Sequence, residues 1–340
     1  MNLNEFQEIK QLLSVPQKIA IVPHRNPDGD AYGSCLALYR YLLKLNHEVT
    51  IVSPNDCPNF LKWLPGADTI EIFEESIEKS TKIIESAEII FTLDFNALHR
   101  VGAKMEKVLE KVKPVYVMID HHQQPDTYAD FTYVDATVCS TCQMVYQFME
   151  KLDHLNFIDK DIATCLYAGI LTDTGSFRFP ATTSATHRIV AHLLDKGANN
   201  SEIYNKIHNV STYNRLQLLG KALQNMKVIE DYQTAYITLS QSELNKYNFE
   251  KGDTEGFVNY ALSLKNVIFA AIFIEDKNQG IIKISLRSVG EFSVNDFSRN
   301  HFNGGGHINA AGGRSEMSLR DTVSKFVALL PTYKEDLKQV

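Results

Sequence analysis

Short apolar segments alternate with helical patterns through the first half of the sequence, and this alternation restricts the fold more than any other feature. Residues 18–22, 48–52, 88–94 and 114–120 have the pattern of buried strands, and helix-like segments such as residues 31–45 lie between them. Strands that alternate with helices predict a parallel sheet with helices on both faces. Ligands of such sheets gather at the carboxyl ends of the strands. The residues that carry chemistry are therefore expected at those ends.

The pattern changes in the second half of the chain. Residues 159–226 are mostly helical in pattern, and three strand-like segments follow between residues 235 and 286. A glycine-rich stretch, residues 303–313, comes after them. We therefore predict an α/β protein with a parallel-sheet catalytic domain, a helical linker and a smaller α/β C-terminal domain, with the boundaries 1–195, 196–228 and 229–340.

Composition excludes several classes of protein. The 34 Lys and Arg against 41 Asp and Glu give a net charge of −7, which argues against a conventional basic surface for nucleic acid. No apolar run approaches the ~18 residues of a membrane span, and the N-terminus has no secretory pattern. The five cysteines are odd in number and scattered, which favours a reducing, cytoplasmic location. Cys139 and Cys142 form a C-x-x-C without a second pair at zinc-finger spacing, so a zinc or redox role is not favoured.

Acidic and histidine residues occupy the ends of the predicted strands and the end of one predicted helix. They are His24, Asp28 and Asp30 after the first strand, Asp94 after another, Asp120, His121 and His122 after a third, and Asp173 at the helix end. Imidazole together with several carboxylates is the ligand set expected for Mn²⁺ or a similar ion, not for thiolate-bound zinc. Taken alone, an aspartate after a strand is commonly a helix cap or a turn residue.

The number of these candidate ligands favours two ions over one. Even six ligands from this set are too many for one ion that keeps open positions, but six suit two ions that share a carboxylate. Two such metals can clamp a phosphoryl group during an in-line displacement. The ions would also attract a polyanionic substrate, so the protein itself need not be basic.

The motifs resemble those of the DHH phosphoesterase superfamily, which is named for the Asp-His-His sequence found here at residues 120–122. Residues 304–313 resemble the signature of the C-terminal domain associated with that superfamily. Together the motifs run from residue 24 to residue 313. The length and layout are most similar to the bacterial nano-RNase/pAp phosphatase group, which lacks further modules.

The resemblance implies two Mn²⁺ ions and a role for each residue that matches the motifs of the family. The ligands that it implies are His24 and Asp28 for the first ion, Asp30, His121 and Asp173 for the second, and Asp94 bridging the two. Asp120 is expected to orient a histidine, as carboxylate partners of metal-bound imidazoles usually do. His122 is expected to face the scissile phosphate or the leaving oxygen.

The C-terminal domain is expected to bind the substrate. Consecutive glycines such as Gly305 and Gly306 free backbone N–H groups to approach an anion, and His307 can add a donor. Arg287, at the end of a predicted strand, matches phosphate geometry. The alternative is that the glycine-rich loop is only a tight connection. Arg100 is a further candidate phosphate contact, although a solvent-exposed arginine is almost equally compatible with the sequence.

The resemblance implies hydrolysis of very short RNA to mononucleotides and of 3′-phosphoadenosine 5′-phosphate (pAp) to AMP and phosphate. The active site is expected in an interdomain cleft, and a homodimer is possible by analogy. One alternative is a phosphodiesterase acting on linear dinucleotides. A second is a phosphoanhydride hydrolase, either an exopolyphosphatase or a pyrophosphatase. A non-catalytic nucleotide sensor would be expected to lack some of the six ligands, all of which are present.

Overall fold

The computed structural model describes residues 1–338, and the chain divides into two units, Met1–Val210 and Ser211–Val340. The range predicted as a helical linker, residues 196–228, contributes to both units. Among the described residues, no helix combines the length and the apolar character needed to cross a membrane. All five cysteines are buried free thiols.

The first unit is built on a six-stranded parallel sheet covered by helices. Its strands are β1 Lys18–Pro23, β2 Glu48–Ser53, β3 Glu71–Ile72, β4 Ile89–Leu93, β5 Val115–Asp120 and β6 Phe131–Val134. Its helices are α1 Leu3–Leu12, α2 Gly29–Lys44, α3 Ile77–Ser86, α4 Ala103–Leu109, α5 Thr141–Lys151, α6 Lys160–Asp173, α7 Ser184–Asp195 and α8 Asn200–His208. The predicted α/β class with a parallel sheet is confirmed.

The order of the strands fixes where a ligand can bind. The sheet runs β3-β2-β1-β4-β5-β6, so the chain moves outward in one direction from β1 and in the other direction from β4. The point between β1 and β4 is a topological switch point, where the connecting loops diverge and leave a crevice at the carboxyl ends of the strands. His24 follows β1 directly and Asp94 follows β4 directly.

Both faces of this sheet are buried, as the pleat of β1 shows. Ile19 and Ile21 pack in a core with residues of α2, α5 and α6. Ala20 and Val22 point the other way into a smaller core with residues of α3 and α4. Side chains alternate across a strand, so a strand buried on both faces reads as one continuous apolar run.

Helices α2 and α6 approach each other closely because small residues line their contact. A Cβ atom added to Gly33 would lie 2.6 Å from the carbonyl oxygen of Cys165, and one added to Gly29 would lie 2.5 Å from Oγ1 of Thr172. Real Cβ atoms do not come so close to such atoms. Glycine at these positions therefore sets the spacing between the helix that begins near Asp30 and the helix that ends at Asp173.

The second unit contains a mostly antiparallel six-stranded sheet in the order β11-β12-β10-β9-β8-β7. Its strands are β7 Lys227–Ile229, β8 Thr234–Leu239, β9 Phe269–Asp276, β10 Ile281–Ser288, β11 Gly305–His307 and β12 Ala310–Ser315. Its helices are α9 Tyr213–Gln224, α10 Gln241–Lys246, α11 Phe257–Leu262, α12 Val294–His301 and α13 Leu319–Leu329. Two apolar cores lie against this sheet. Only β8 and β9 pair in parallel among the strand pairs of this unit that the structure describes.

The glycine-rich stretch, which the sequence analysis treats as a loop, forms a pair of strands. Strands β11 and β12 pair antiparallel, with Gly305 opposite Gly312. A Cβ added to Gly304 would lie 1.9 Å from the carbonyl oxygen of Gly312, and Gly306 has a φ of +151°. The N–H of Gly306 donates to Oδ1 of Asn295 at 2.9 Å. Close packing against the backbone of β12 accounts for the glycines at positions 304 and 306.

Candidate metal centre

The first group of polar residues lies where β1 passes into α2. Asp28 is the N-cap of α2, and its Oδ1 accepts hydrogen bonds from the N–H groups of Asp30 and Ala31 at 3.0 and 3.1 Å. Its other oxygen, Oδ2, lies 4.0 Å from Nε2 of His24. The capping role and a ligand role are therefore compatible, because each uses a different oxygen of Asp28.

Asp94 lies at the centre of the cluster. It has a φ of +66°, in the left-handed region, and its N–H donates to the carbonyl oxygen of Ile119 at 3.1 Å. Its Oδ2 lies 3.4 Å from Nε2 of His24, whereas its Oδ1 lies 3.4 Å from Nε2 of His121. The two oxygens of one buried carboxylate thus face two different histidines.

His121, directly after β5, faces three carboxylates. Its Nε2 lies 3.4 Å from Oδ1 of Asp94, 3.4 Å from Oδ2 of Asp173 and 3.7 Å from Oδ2 of Asp30. Asp173 is the last residue of α6, and Asp30 lies in the first turn of α2. The close approach of α2 and α6 therefore brings two of these acids to the same histidine.

The tautomers of His24 and His121 are set by backbone carbonyls. Nδ1 of His24 lies 2.9 Å from the carbonyl oxygen of Arg25, and Nδ1 of His121 lies 3.1 Å from that of Val138. Because a carbonyl oxygen only accepts, each Nδ1 carries the hydrogen. A neutral ring then directs the lone pair of Nε2 toward carboxylate oxygens, which also carry lone pairs. A proton or a cation between them is needed to make these contacts favourable, so the donor set fits divalent metal ions.

His122 has a different partner from His121. Its Nδ1 donates to Oδ1 of Asp120 at 2.7 Å, and both residues are buried. Among residues 1–338, Oδ2 of Asp120 is a buried oxygen without a hydrogen-bond partner. The expected contact of Asp120 with a histidine is therefore present in the geometry, and its partner is His122.

Sequence reasoning missed the residues that hold Asp30. The N–H of Thr141 donates to its Oδ2 at 2.6 Å, and the N–H of Cys142 donates to its Oδ1 at 2.9 Å. Both belong to the first turn of α5, whose N-cap is Ser140. A serine before a helical pattern signals such a turn. The contact between the N–H of Thr141 and a carboxylate 111 residues earlier in the chain depends on the tertiary fold, so the local sequence does not reveal it.

The buried acids of the cluster have pKa values shifted in opposite directions, raised for Asp30 and Asp173 and lowered for Asp94. Burial raises the pKa of Asp30 well above its usual range, and Asp94 and Asp173 raise it further. Burial, Asp28 and Asp94 likewise raise the pKa of Asp173 to about 7, although His121 opposes them. Burial also acts to raise the pKa of Asp94, but hydrogen bonds to His121 and His24 outweigh it and leave that pKa well below its usual range.

The two histidines show the complementary shift. Burial lowers the pKa of His24 and of His121, but the neighbouring carboxylates outweigh burial and raise both values. Asp94 raises the pKa of both histidines, Asp28 also raises that of His24, and Asp173 and Asp30 also raise that of His121. The cluster therefore favours bound positive charge, whether that charge is carried by protons or by metal ions.

The expected substrate-binding residues fall in two separate units. Arg100 lies in the first unit near His24, since its charge lowers the pKa of that histidine. Arg287 and His307 lie in the second unit, and both pair with Ala310, on β10 and β11 respectively. Residues in register on neighbouring strands share a face, so the fold places Arg287 and His307 on one face of that sheet. Gly305 and Gly306 belong to the same edge strand.

Models of two protein families match the chain. The DHH family N-terminal domain matches residues 18–170, and the DHHA1 domain matches residues 231–333. A Thermus thermophilus protein named bifunctional oligoribonuclease and PAP phosphatase is 31% identical over 326 residues, which cover 96% of this chain and 92% of that protein. A Bacillus subtilis protein of the same name is 28% identical over 306 residues, which cover 90% and 91%.

Solved structures agree with this picture of the fold. The structure of an exopolyphosphatase-related protein from Bacteroides fragilis is 38% identical, has a TM-score of 0.95, and covers 99% of this chain and 98% of its own. RecJ of Thermus thermophilus, solved in complex with Mn²⁺, has a TM-score of 0.56 at 14% identity. The match covers 97% of this chain but 55% of RecJ, and it shows the fold alone.

Proposed function

The chain belongs to the DHH family of phosphoesterases, and on that premise we propose that it is a Mn²⁺-dependent hydrolase of very short RNA and of pAp. The observation that carries the proposal is the geometry around Asp94. Its two oxygens face His24 and His121, each 3.4 Å away, and each histidine has at least one further aspartate beside it. One shared carboxylate between two such groups suits a pair of ions.

Two groups of side chains would hold the ions. Their ligand atoms lie within 4.8 Å of one another in each group, and the groups are His24, Asp28 and Asp94, and Asp30, Asp94 and His121. Asp173 would join the second group through His121. Divalent ions bound there would polarise a phosphate and ease the deprotonation of an attacking water.

His122 would act at the leaving group. Its Nδ1–H is held by the buried Asp120 at 2.7 Å, which fixes the plane of the ring. With its ring held in this way, His122 would donate a proton from Nε2 to the leaving oxygen. Asp120 itself stays bound to Nδ1 and orients the ring. The leaving oxygen of the nucleoside or nucleotide would then depart as a hydroxyl group.

The second unit would recognise phosphate. We assign this role to Arg287 and His307, which the strand register places on one face of the sheet. Gly305 and Gly306 would let a phosphate approach the edge strand, and Arg100 would add charge beside His24. Side chains that bind a terminal phosphate favour a substrate of two to a few nucleotides over a long strand.

The choice of substrate rests on the relatives. Two proteins that are 28% and 31% identical over about the whole chain carry the name oligoribonuclease and PAP phosphatase. Polyphosphate is the second candidate, because a protein that is 38% identical is described as exopolyphosphatase-related. Linear dinucleotides are a third candidate substrate, because they contain the same phosphodiester bond as short RNA.

One assay separates these candidates. Purified full-length protein with Mn²⁺ is incubated side by side with pAp, a diribonucleotide, linear pApA, an RNA of about 20 nucleotides, pyrophosphate and polyphosphate. We expect rapid hydrolysis of pAp and of the diribonucleotide, with the long RNA cleaved at least about tenfold more slowly. Faster hydrolysis of polyphosphate, or equal cleavage of the long and short RNA, would contradict the proposal.

A further inference from the structure

One buried residue, Thr141, holds two of the proposed ligands at once. Its hydroxyl lies 2.9 Å from Oδ1 of Asp94, and its backbone N–H donates to Oδ2 of Asp30 at 2.6 Å. The residue is completely shielded from solvent. An ionised carboxylate can only accept, so the hydroxyl must donate its single hydrogen to Asp94.

The backbone contact depends on the helix and not on the Thr141 side chain. Ser140 caps α5 by accepting a hydrogen bond from the N–H of Gln143 at 3.0 Å. This cap fixes the first turn of the helix, from which the N–H groups of Thr141 and Cys142 reach the two oxygens of Asp30. A substitution that changes only the side chain of Thr141 therefore isolates its contact with Asp94.

The contact with Asp94 controls the rotation of a shared carboxylate. Oδ2 of Asp94 faces His24 and Oδ1 faces His121, so a rotation about the Cβ–Cγ bond would misplace both oxygens together. The hydroxyl of Thr141 binds the oxygen on the His121 side and opposes that rotation. Among residues 1–338, Thr141 is the one residue whose side-chain hydroxyl donates a hydrogen bond to Asp94.

We propose that Thr141 is a positioning residue whose hydroxyl fixes the orientation of the shared carboxylate Asp94 and thereby strengthens the binding of both ions. The inference rests on the proposed function, because it assumes that Asp94 binds metal. It adds a residue outside the ligand set to the determinants of metal affinity. If Thr141 only filled space in the core, a valine of the same shape would serve equally well.

The test compares Thr141→Val, which keeps the shape but removes the donor, with Thr141→Ser, which keeps the donor. Mn²⁺ affinity of the metal-stripped, full-length protein is measured by titration calorimetry. Loss of a partner of a metal ligand typically weakens metal binding about 10–100-fold, and we expect that loss for Thr141→Val. Thr141→Ser should remain within about threefold of the wild type.

Thr164→Val is the matched control. Thr164 is a nearly buried threonine of α6 whose hydroxyl donates to the carbonyl oxygen of Lys160 at 2.7 Å, within its own helix. The same substitution there removes a hydroxyl without touching a carboxylate, so Mn²⁺ affinity should not change. Thr141→Ala, which cannot crowd the site, replaces Thr141→Val if circular dichroism shows that the valine variant is unfolded.

The results separate the inference from the proposed function. If the wild type binds no Mn²⁺, the proposed function itself fails. If the wild type binds Mn²⁺ but Thr141→Val and Thr141→Ala bind it equally well, only the inference is overturned. Equal weakening in Thr141→Ser and Thr141→Val would also overturn it, because the hydroxyl would then not be the group that matters.

Discussion

At the scale of single residues, the two oxygens of one carboxylate contact different groups, both in Asp28 and in Asp94. In Asp28, one oxygen caps α2 and the other faces His24. In Asp94, the oxygens face different histidines. The sequence could predict these residues, because their positions after apolar strands are visible in the pattern. It could not predict which oxygen faces which group, because that depends on contacts such as the one from Thr141, 47 residues away.

Asp94→Asn should abolish activity and leave the fold intact. Asparagine has the same shape and tolerates the left-handed backbone found at this position, but it cannot supply a shared negative charge to two ions. We expect at least about a 100-fold loss of kcat/KM on pAp, measured at saturating Mn²⁺. The unfolding temperature without metal should stay within a few degrees of the wild type.

Asp68→Asn is the matched control for this variant. Asp68 is an exposed residue of the same unit, so the same chemical change should leave kcat/KM within about twofold of the wild type. Hydrolysis at the wild-type rate by Asp94→Asn would show that Asp94 is not a shared ligand.

At the scale of elements, the sequence pattern located β1, β2, β4 and β5 to within one residue at each end. It succeeded where burial produces a strong signal, as in β4, which is buried along its whole length. It failed at residues 303–313, which form β11 and β12. Glycine is depleted in strands, so the local pattern indicated a loop. The strands form because β12 pairs with the well-defined β10, a contact that depends on the tertiary fold.

Gly33→Ala should destabilise the first unit, because the contact of α2 with α6 leaves no space for a methyl group. The added Cβ would meet the carbonyl oxygen of Cys165 at 2.6 Å, and a backbone atom cannot move aside cheaply. We expect a loss of about 1–3 kcal/mol in the free energy of unfolding, the usual effect of overpacking. Urea denaturation followed by circular dichroism measures this loss.

Gly220→Ala tests the same change on an open helix surface. Gly220 lies inside α9, and nothing lies within 4 Å of the position that a Cβ would occupy. Alanine is the better helix former, so this variant should be about 0.5–1 kcal/mol more stable than the wild type. Equal effects of the two substitutions would contradict the close packing of α2 on α6.

At the scale of the whole molecule, a chain of net charge −7 concentrates several of its carboxyl groups in one buried cluster. This arrangement explains how an acidic protein could act on phosphate substrates, because bound cations would reverse the local charge. The net charge of the chain and the aspartates of the cluster could both be identified from the sequence. It could not predict the protonation of the cluster, which depends on burial and on the distances between groups that are far apart in the chain.

The stability of the metal-free protein should fall as the pH rises from 6 to 8. The pKa of Asp173 is raised to about 7 in the folded state, and those of Asp30, His24 and His121 are also raised. A raised folded pKa stabilises the fold at low pH, and this contribution is lost as the pH passes the folded value. The lowered pKa of Asp94 has the opposite sign, but its effect is confined to pH values below about 4.

Differential scanning fluorimetry in EDTA should therefore show an unfolding temperature about 3–6 °C lower at pH 8 than at pH 6. Mn²⁺ should raise this temperature more at pH 8 than at pH 6, because at pH 8 it does not compete with bound protons. Asp173→Asn should flatten the pH dependence, whereas Asp68→Asn should retain it. A metal-free unfolding temperature that rises between pH 6 and pH 8 would contradict the proposed protonation of the cluster.

Anomalous diffraction from a crystal of the full-length protein grown with Mn²⁺ tests the central claim most directly, because it locates the ions themselves. We predict two manganese peaks, one bounded by His24, Asp28 and Asp94 and the other by Asp30, Asp94, His121 and Asp173, with one oxygen of Asp94 toward each. A crystal with well-ordered side chains but no manganese between them would contradict the account. A single ion that does not contact Asp94 would contradict it as well.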